Sequence, residues 1–554
     1  MSRQTSQRII VIGAGIGGLT AAALLAHRGH LVLLFDQALV PGGCASTFKR
    51  QGFTFDVGAT QVAGLEPGGI HHRIFSELGL ELPPAVPCDP ACAVYLPEET
   101  EPIHVWRDRH RWQAERQRQF PGSEPFWQLL AELFQASWAF QLRDPVLPPR
   151  NGWDLWQLVK ALRPGTLRTL PHTFSTVGRA LRSLGLAHDR RLKTFLDLQL
   201  KLYSQVEAEE TALLYAATAL SVSQTPHGLF HLQGSMQVLS DRLVAAFERD
   251  GGKLLMRHTV EHIHTQAGQA TGVVIRNQKT NETWTEPADQ VIANVTVQNL
   301  VKLLEGSQER GVRSQESGAA IHQNPKTKIQ ALKSKFQIPM VGYRHRVEKL
   351  PPGSSAFVVY LGVEQRAIPA GCPPHLQFLY DYNGPIAENN SLFVSISHAG
   401  DGRAPMGQAT IIASSFTDPG IWWQGDRERG SGEAGETRRE GDRGADCYQQ
   451  LKQQYMETAI ARLGQFFDLD GTILYQTAAT PRTFARYTGR DQGMVGGIGQ
   501  RLSTFGPFGF ANRTPIRHLW LVGDSTHPGE GTAGVSYSAL TVVRQIEAGR
   551  YGKE

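Results

Sequence analysis

The stretch Arg8 to Asp36, RIIVIGAGIGGLTAAALLAHRGHLVLLFD, decides the fold. Ile9, Ile10, Val11 and Ile12 are a β-branched run that suits a short strand covered on both faces. Gly13, Gly15 and Gly18 then form G-x-G-x-x-G, with Gly17 inside the same turn, and a small-residue helix follows through Ala21, Ala22, Ala23, Leu24 and Leu25. Leu31 to Phe35 is a second apolar strand that ends on Asp36. In this pattern Gly13 permits the tight turn, Gly15 lets a pyrophosphate approach the backbone, and Gly18 lets the helix pack close to the strand. The helix start offers unpaired N–H groups and the positive end of a dipole. Asp36 is spaced to accept hydrogen bonds from a ribose. Strand, glycines, helix, strand and acid together predict a dinucleotide-binding βαβ unit.

Outward from this unit, the totals set bounds. A chain of 554 residues allows about two to four domains. With 41% hydrophobic and 19% charged residues the composition is that of a folded protein, and a net charge of +5 is too small to argue for nucleic acid. The five cysteines Cys44, Cys88, Cys92, Cys372 and Cys447 are odd in number and scattered, so no disulfide framework is implied. Cys88 and Cys92 lack a second Cys/His pair at ligand spacing, so no metal site is expected. His258, His262 and His264 would share one face of a regular strand, and a sheet-surface or core role is preferred to a metal there. Residues 1 to 8 are polar and run straight into the first strand, which predicts no signal peptide. No apolar run approaches the ~18 residues of a membrane span. A reducing, cytoplasmic setting is therefore expected.

After Asp36 the chain reads ALVPGGCASTFKRQGFTFDVGATQ, with a second glycine turn at Gly42 and Gly43 and alternation through Phe53, Phe55 and Val57. From about Leu80 to Gln205 helices broken by proline are expected. Phe126, Leu129, Leu130, Leu133 and Phe134 recur at helical spacing, as do Trp153, Trp156, Leu158 and Leu162. Residues 151 to 205 hold nine Lys or Arg against three Asp, a net of +6. Tryptophan and leucine faces among basic residues suit an anionic membrane surface, and they equally suit a solvated helix face over a core. Lys253 to Ile275 reads as two strands around a turn at Gly268, and Val291 to Asn294 as a buried strand. Ala356 to Leu361 and Leu392 to Ile396 read as strands of a second sheet. Ser307 to Gln330 is polar, and Gly425 to Asp446 lacks large apolar residues and is expected to be a disordered surface loop. Leu519 to Val522 is a buried strand ended by Gly523 and Asp524, with a helix expected near Val535.

The order IGAGIGGL, an acid, PGG with a following Ser/Thr, and F-x-F-D-x-G resembles the phytoene desaturase superfamily of FAD enzymes. GGCASTFKRQGFTFDVGATQVAGLEPGGIHHRIF resembles the cyanobacterial-type carotenoid 3′,4′-desaturases more than the phytoene desaturases or carotene isomerases. The resemblance spans nearly the whole chain, the polar inserts excepted. It implies an α/β fold with an α+β substrate domain: a Rossmann-like FAD-binding domain of the amine-oxidase type carrying an inserted substrate- and membrane-facing domain. Residues 1–80, 230–300 and 491–554 would be three segments of the FAD domain. Residues 81–229 would be the helical substrate or membrane-facing segment, and 301–490 the substrate sheet with polar inserts at 307–330 and 425–446.

By the same resemblance Gly42, Gly43 and Cys44 would pass the cofactor. Most relatives have an arginine where this chain has Cys44, which is read as a small buried residue. The backbone at Val260 would bond the adenine. Asp524 would accept from a ribityl hydroxyl, with capping of the following turn as the other reading. The helix start at Gly534 and Val535 would face the flavin pyrimidine ring, where its dipole favours negative charge. The implied activity is FAD-dependent desaturation at C-3′,4′ of a carotenoid's acyclic end, in carotenoid (myxol-type glycoside) biosynthesis. The implied setting is a peripheral protein on the cytoplasmic side of a membrane, with quinone or oxygen as the electron acceptor. The alternatives are a carotene cis–trans isomerase and a non-redox prenyl-binding escort of the GDP-dissociation-inhibitor type. No side chain is assigned as catalytic acid or base.

Overall fold

The structure, a computed structural model, describes residues 6–313, 340–423 and 437–550. Strand β1 (Arg8–Ile12), helix α1 (Ile16–His27) and strand β2 (Leu31–Asp36) form the expected unit, with β1 and β2 parallel. They belong to a five-stranded parallel sheet with β3 (Lys253–Met256), β4 (Gln290–Ala293) and β5 (Leu519–Leu521), in the order β3-β2-β1-β4-β5. Alternate residues of β1 serve two cores. Ile9 and Val11 pack under α1, the helix Gln237–Arg249 and helix α2 (Thr532–Arg550). Ile10 and Ile12 pack on the other face against Val260, Ile263, Val273 and Ile275. A sheet covered on both faces needs the unbroken apolar runs seen in its strands. Eleven of the twelve residues of α1 are buried, and its alanines and glycines let three helices crowd together.

Lys253 to Ile275 is three strands rather than two. Arg257, at φ +62°, turns the chain out of β3 into an antiparallel pair, His258–Gln266 with Gln269–Asn277. The pairing then steps from Val260–Ile275 to His262–Val274, so Glu261 is an extra residue. This bulge flips the side-chain alternation. His262 and His264 consequently share a face, their rings 5.3 Å apart, while His258 lies on the other. The expectation of three histidines on one face is thus corrected. Among the described residues no group of three or more His, Cys, Asp or Glu is placed to hold a metal ion.

The second sheet has seven strands and contains both expected ones, within Ser355–Glu364 and Ser391–Ile396. Two of its strands, Cys92–Tyr95 and Ile103–Val105, come from the stretch expected to be purely helical. At four and three residues they are too short to show a period against the helices that follow. Those helices pack Phe126, Leu130, Leu133, Phe195 and Leu196 under them. Residues 437–446 are also not the expected loop: they open the helix Thr437–Leu463. Met456, Ala459 and Leu463 anchor that helix on the sheet, and extending an anchored helix is easier than starting one. Residues 307–313 likewise finish the helix Val297–Arg313, while 314–330 and 425–436 lie outside the described residues.

A buried ionic cluster ties the strand Phe53–Asp56 to the loop between strands Ser391–Ile396 and Gln408–Thr417. Arg403 donates from Nη2 to Asp56 Oδ2 at 3.0 Å and from Nη1 to Asp401 Oδ2 at 2.9 Å and Leu232 O at 2.8 Å. Asp56 Oδ1 accepts from the Met236 amide at 2.8 Å. The arginine and Asp56 side chains are 1% and 2% exposed, so each charge depends on the other for compensation.

Candidate active site

One cavity of about 1030 Å³ runs from the glycine turn of β1 to the helices Gly152–Ala161, Arg190–Ser204 and Leu213–Ser221. At its nucleotide end the turn is held as its sequence requires. Gly13 has φ +95°, and a Cβ on Gly18 would lie 2.0 Å from Gly13 O. Gly18 therefore serves helix–strand packing and is absent from the cavity wall, whereas Gly13, Gly15 and Gly17 line it. Gly15 is the N-cap of α1 and no side chain caps that helix, which leaves its first amides open to an anion. Asp36 accepts from Ala14 N at 2.6 Å and Ala38 N at 2.7 Å, so its carboxylate is fixed at the cavity edge. Burial raises its pKa, and the two amides counter the rise.

Gly42, Gly43, Cys44 and Val260 line the next part of the cavity, and Gly523, Asp524, Gly534 and Val535 the far wall. Twelve of the thirteen candidate positions thus meet on one surface, all but Gly18. Helix α2 starts at Thr532, three residues before Val535, and the Val535 amide already donates to Gly531 O at 3.0 Å. The amides without an intrahelical partner are those of the first three residues, Thr532 to Gly534. Cys44 is half-buried rather than enclosed, its open surface facing the cavity. Burial raises its thiol pKa, and nearby Arg490 opposes the rise.

Several wall residues had no signal in the sequence. Asn294 follows β4 and donates from Nδ2 to Gly13 O at 3.1 Å, clamping the first glycine turn. Arg490 donates from Nη2 to Asp524 Oδ2 at 2.6 Å and also to Gly496 O. A guanidinium therefore stands beside Cys44 after all, brought from a remote segment. Burial alone would lower the Arg490 pKa, but Asp524 and Cys44 raise it. Glu530 accepts from Gly497 N at 2.9 Å and from Gln205 Nε2 at 3.0 and 3.2 Å. His527 is neutral, its pKa lowered to about 4 by burial.

The lining is otherwise largely apolar, with Leu202, Leu214, Val222, Phe393 and Phe505 in it. The cavity reaches Leu158, Leu162 and Leu170, in a stretch with a markedly apolar exterior. Trp156 is 59% exposed, Leu170 55% and Phe174 62%, among the exposed cations Lys160, Arg163 and Arg168. Trp153 is not part of this surface: it is half-buried under the Arg544 guanidinium. Among the described residues no helix is long and apolar enough to cross a membrane.

The glycine cradle, the uncapped helix start and the fixed acid fit a dinucleotide. Comparison with known proteins agrees. Residues 11–78 match the NAD(P)-binding Rossmann-like domain. The chain is 26% identical to a prolycopene isomerase of Daucus carota, covering 99% of this chain and 81% of that one. It is 25% identical to a zeta-carotene-forming phytoene desaturase of Myxococcus xanthus, covering 99% and 95%. The chain is thus similar from end to end to members of the carotenoid desaturase superfamily. These relatives and solved structures mark it as an oxidoreductase. The fold is shared with cyclohexylamine oxidase of Brevibacterium oxydans, at a TM-score of 0.53 and 16% identity over 98% of this chain and all of the other.

Proposed function

We propose that this chain is an FAD-dependent desaturase that introduces the C-3′,4′ double bond at the acyclic end of a carotenoid. The observation that carries this reading is the continuity of the dinucleotide cradle with an apolar tunnel in one cavity. Gly13, Gly15, Gly17, Asp36, Gly42, Gly43, Val260, Gly523, Asp524 and the start of α2 would hold the FAD. Bound there, the flavin supplies a hydride acceptor. The chain's own part is to align the polyene and to keep water from it. A polyene has no polar handle near its reacting carbons, so tunnel length and shape must select it. The exposed Trp156, Leu170 and Phe174 among cations support peripheral contact with an anionic membrane, with the tunnel mouth facing the lipid.

A second reading, carotene cis–trans isomerisation, is favoured by the end-to-end similarity to a protein named prolycopene isomerase. Expression in a carotenoid-producing host, with chromatography and mass analysis of the pigments, separates the two. A product lighter by two hydrogens supports desaturation, and a displaced peak of unchanged mass supports isomerisation. Unchanged pigments, from a preparation that releases FAD on heating, would overturn both.

A further inference from the structure

Two dehydrogenated carbons lose two hydrogens by different routes. One leaves with its bonding pair as a hydride to the oxidised flavin. The other leaves as a proton, and its bonding pair becomes the new π bond. The reaction therefore needs a base on the tunnel wall, and an apolar tunnel offers few.

We propose that Glu530 is that base, a catalytic residue which takes the proton from the carbon next to the hydride donor. The inference deepens the desaturase reading and rests on it. Glu530 sits on the loop between Asp524 and α2, so it belongs to the cofactor half of the molecule. Its partner Gln205 follows the helix Arg190–Ser204 of the substrate half, which also supplies Leu202 and Tyr203 to the tunnel. The carboxylate thus links the cofactor loop to the end of a helix that lines the tunnel.

Its surroundings hold it without neutralising it. The Gly497 amide and the Gln205 amide donate to it, and no cation forms an ion pair with it among the described residues. Gly496 must be a glycine here, because at φ +70° a Cβ would come within 2.3 Å of both Gln205 and Glu530. The charged and titratable groups that face it are Asp524, Arg490 and Tyr215. Burial pushes the Glu530 pKa up to about 8; Gly497 and Gln205 oppose the rise, Asp524 adds to it and Arg490 opposes it. A carboxyl near neutrality is a far better proton acceptor than one at the ordinary value. After the step the neutral acid releases its proton to water as the flavin's electrons pass to a quinone-class acceptor.

The test uses the FAD-loaded protein with lycopene-type substrate in anionic vesicles, and a second readout that needs no substrate. Glu530→Gln should keep its flavin and still unfold cooperatively while turnover falls ~100-fold or more, with Glu530→Asp partly restoring it. Infrared difference spectra of the substrate-free wild type should show a protonated carboxyl band that titrates away with a midpoint near 8 and is missing in Glu530→Gln. A Glu530→Gln protein that turns over at the wild-type rate would overturn the proposal, as would a wild type without the titrating band. A wild type that shows the band but leaves every carotenoid unchanged would refute the desaturase reading instead.

Discussion

Arg490 Nη2 lies 2.6 Å from Asp524 Oδ2, so a guanidinium occupies one oxygen of the carboxylate on which the cofactor reading most depends. Removing Asp524 has two effects: it deletes an acceptor from the cavity wall and leaves Arg490 without its ion partner. Both side chains are under a fifth exposed, and breaking such a pair costs about 3–5 kcal/mol. Asp524→Ala should therefore unfold at clearly lower urea and lose turnover per bound flavin more than flavin itself. Adding Arg490→Met should recover part of the stability, a coupling that a double-mutant cycle measures. Wild-type unfolding and turnover in Asp524→Ala would reduce Asp524 to a turn residue.

Gly15 tests the nucleotide end. A Cβ there would lie 2.9 Å from Asn294 Nδ2 on the protein side, and valine would also fill the path to the uncapped helix start. Gly15→Val should purify with little or no flavin. Stoichiometric flavin in that variant would show that the cofactor lies elsewhere.

The exposed apolar stretch predicts binding to vesicles of phosphatidylglycerol and phosphatidylcholine that weakens as salt rises. Changing Trp156 and Phe174 together to Glu should weaken that binding tenfold or more, since each buried ring contributes ~1.5 kcal/mol or more. Co-sedimentation measures it, and an unchanged partition coefficient would remove the stretch from the membrane contact.

Acid should weaken the fold through its buried neutral histidines. His71 and His527 have pKa values lowered to about 4 by burial, with Glu66 partly offsetting this at His71. The unfolded chain binds more protons than the fold between pH 6.5 and 4. The stability these groups contribute is thus complete above 6.5 and lost as pH falls toward 4, at up to ~1.4 kcal/mol per pH unit for each. Glu530 acts in the opposite sense, because its raised pKa makes its contribution complete below about 4.5 and lost as pH rises through 8. Urea titrations at several pH values should show a shallower acid slope in His71→Gln and a steeper one in Glu530→Gln. Identical slopes in all three proteins would contradict this placement of the charges.

What was legible beforehand was local. A strand, three glycines, a helix and an acid lie within thirty residues, each demanded by backbone geometry, and β1, α1 and β2 follow from them. Arg490, Asn294, Gln205 and Glu530 left no such trace. They reach the cavity through turns at Gly496 and after β4, which bring together segments that no spacing rule connects. The histidines failed for a related reason: one inserted residue, Glu261, reverses an alternation that the sequence alone reads as continuous. Residues 437–446 failed because their helix is anchored by residues that come after them.

The parallel sheet also dictates an order of events as the chain is made. Its strands come from residues 8–36, 253–293 and 519–521, and the Arg403–Asp56 contact spans 347 residues of sequence. As the chain leaves the ribosome, β1 and β2 wait for β3 and β4, and β4 then waits with an open edge for β5. A nascent chain stopped before Leu519 holds the glycine turn but neither β5 nor helix α2 to close over it. Throughout that interval the edge of β4 stays open to pairing with another strand.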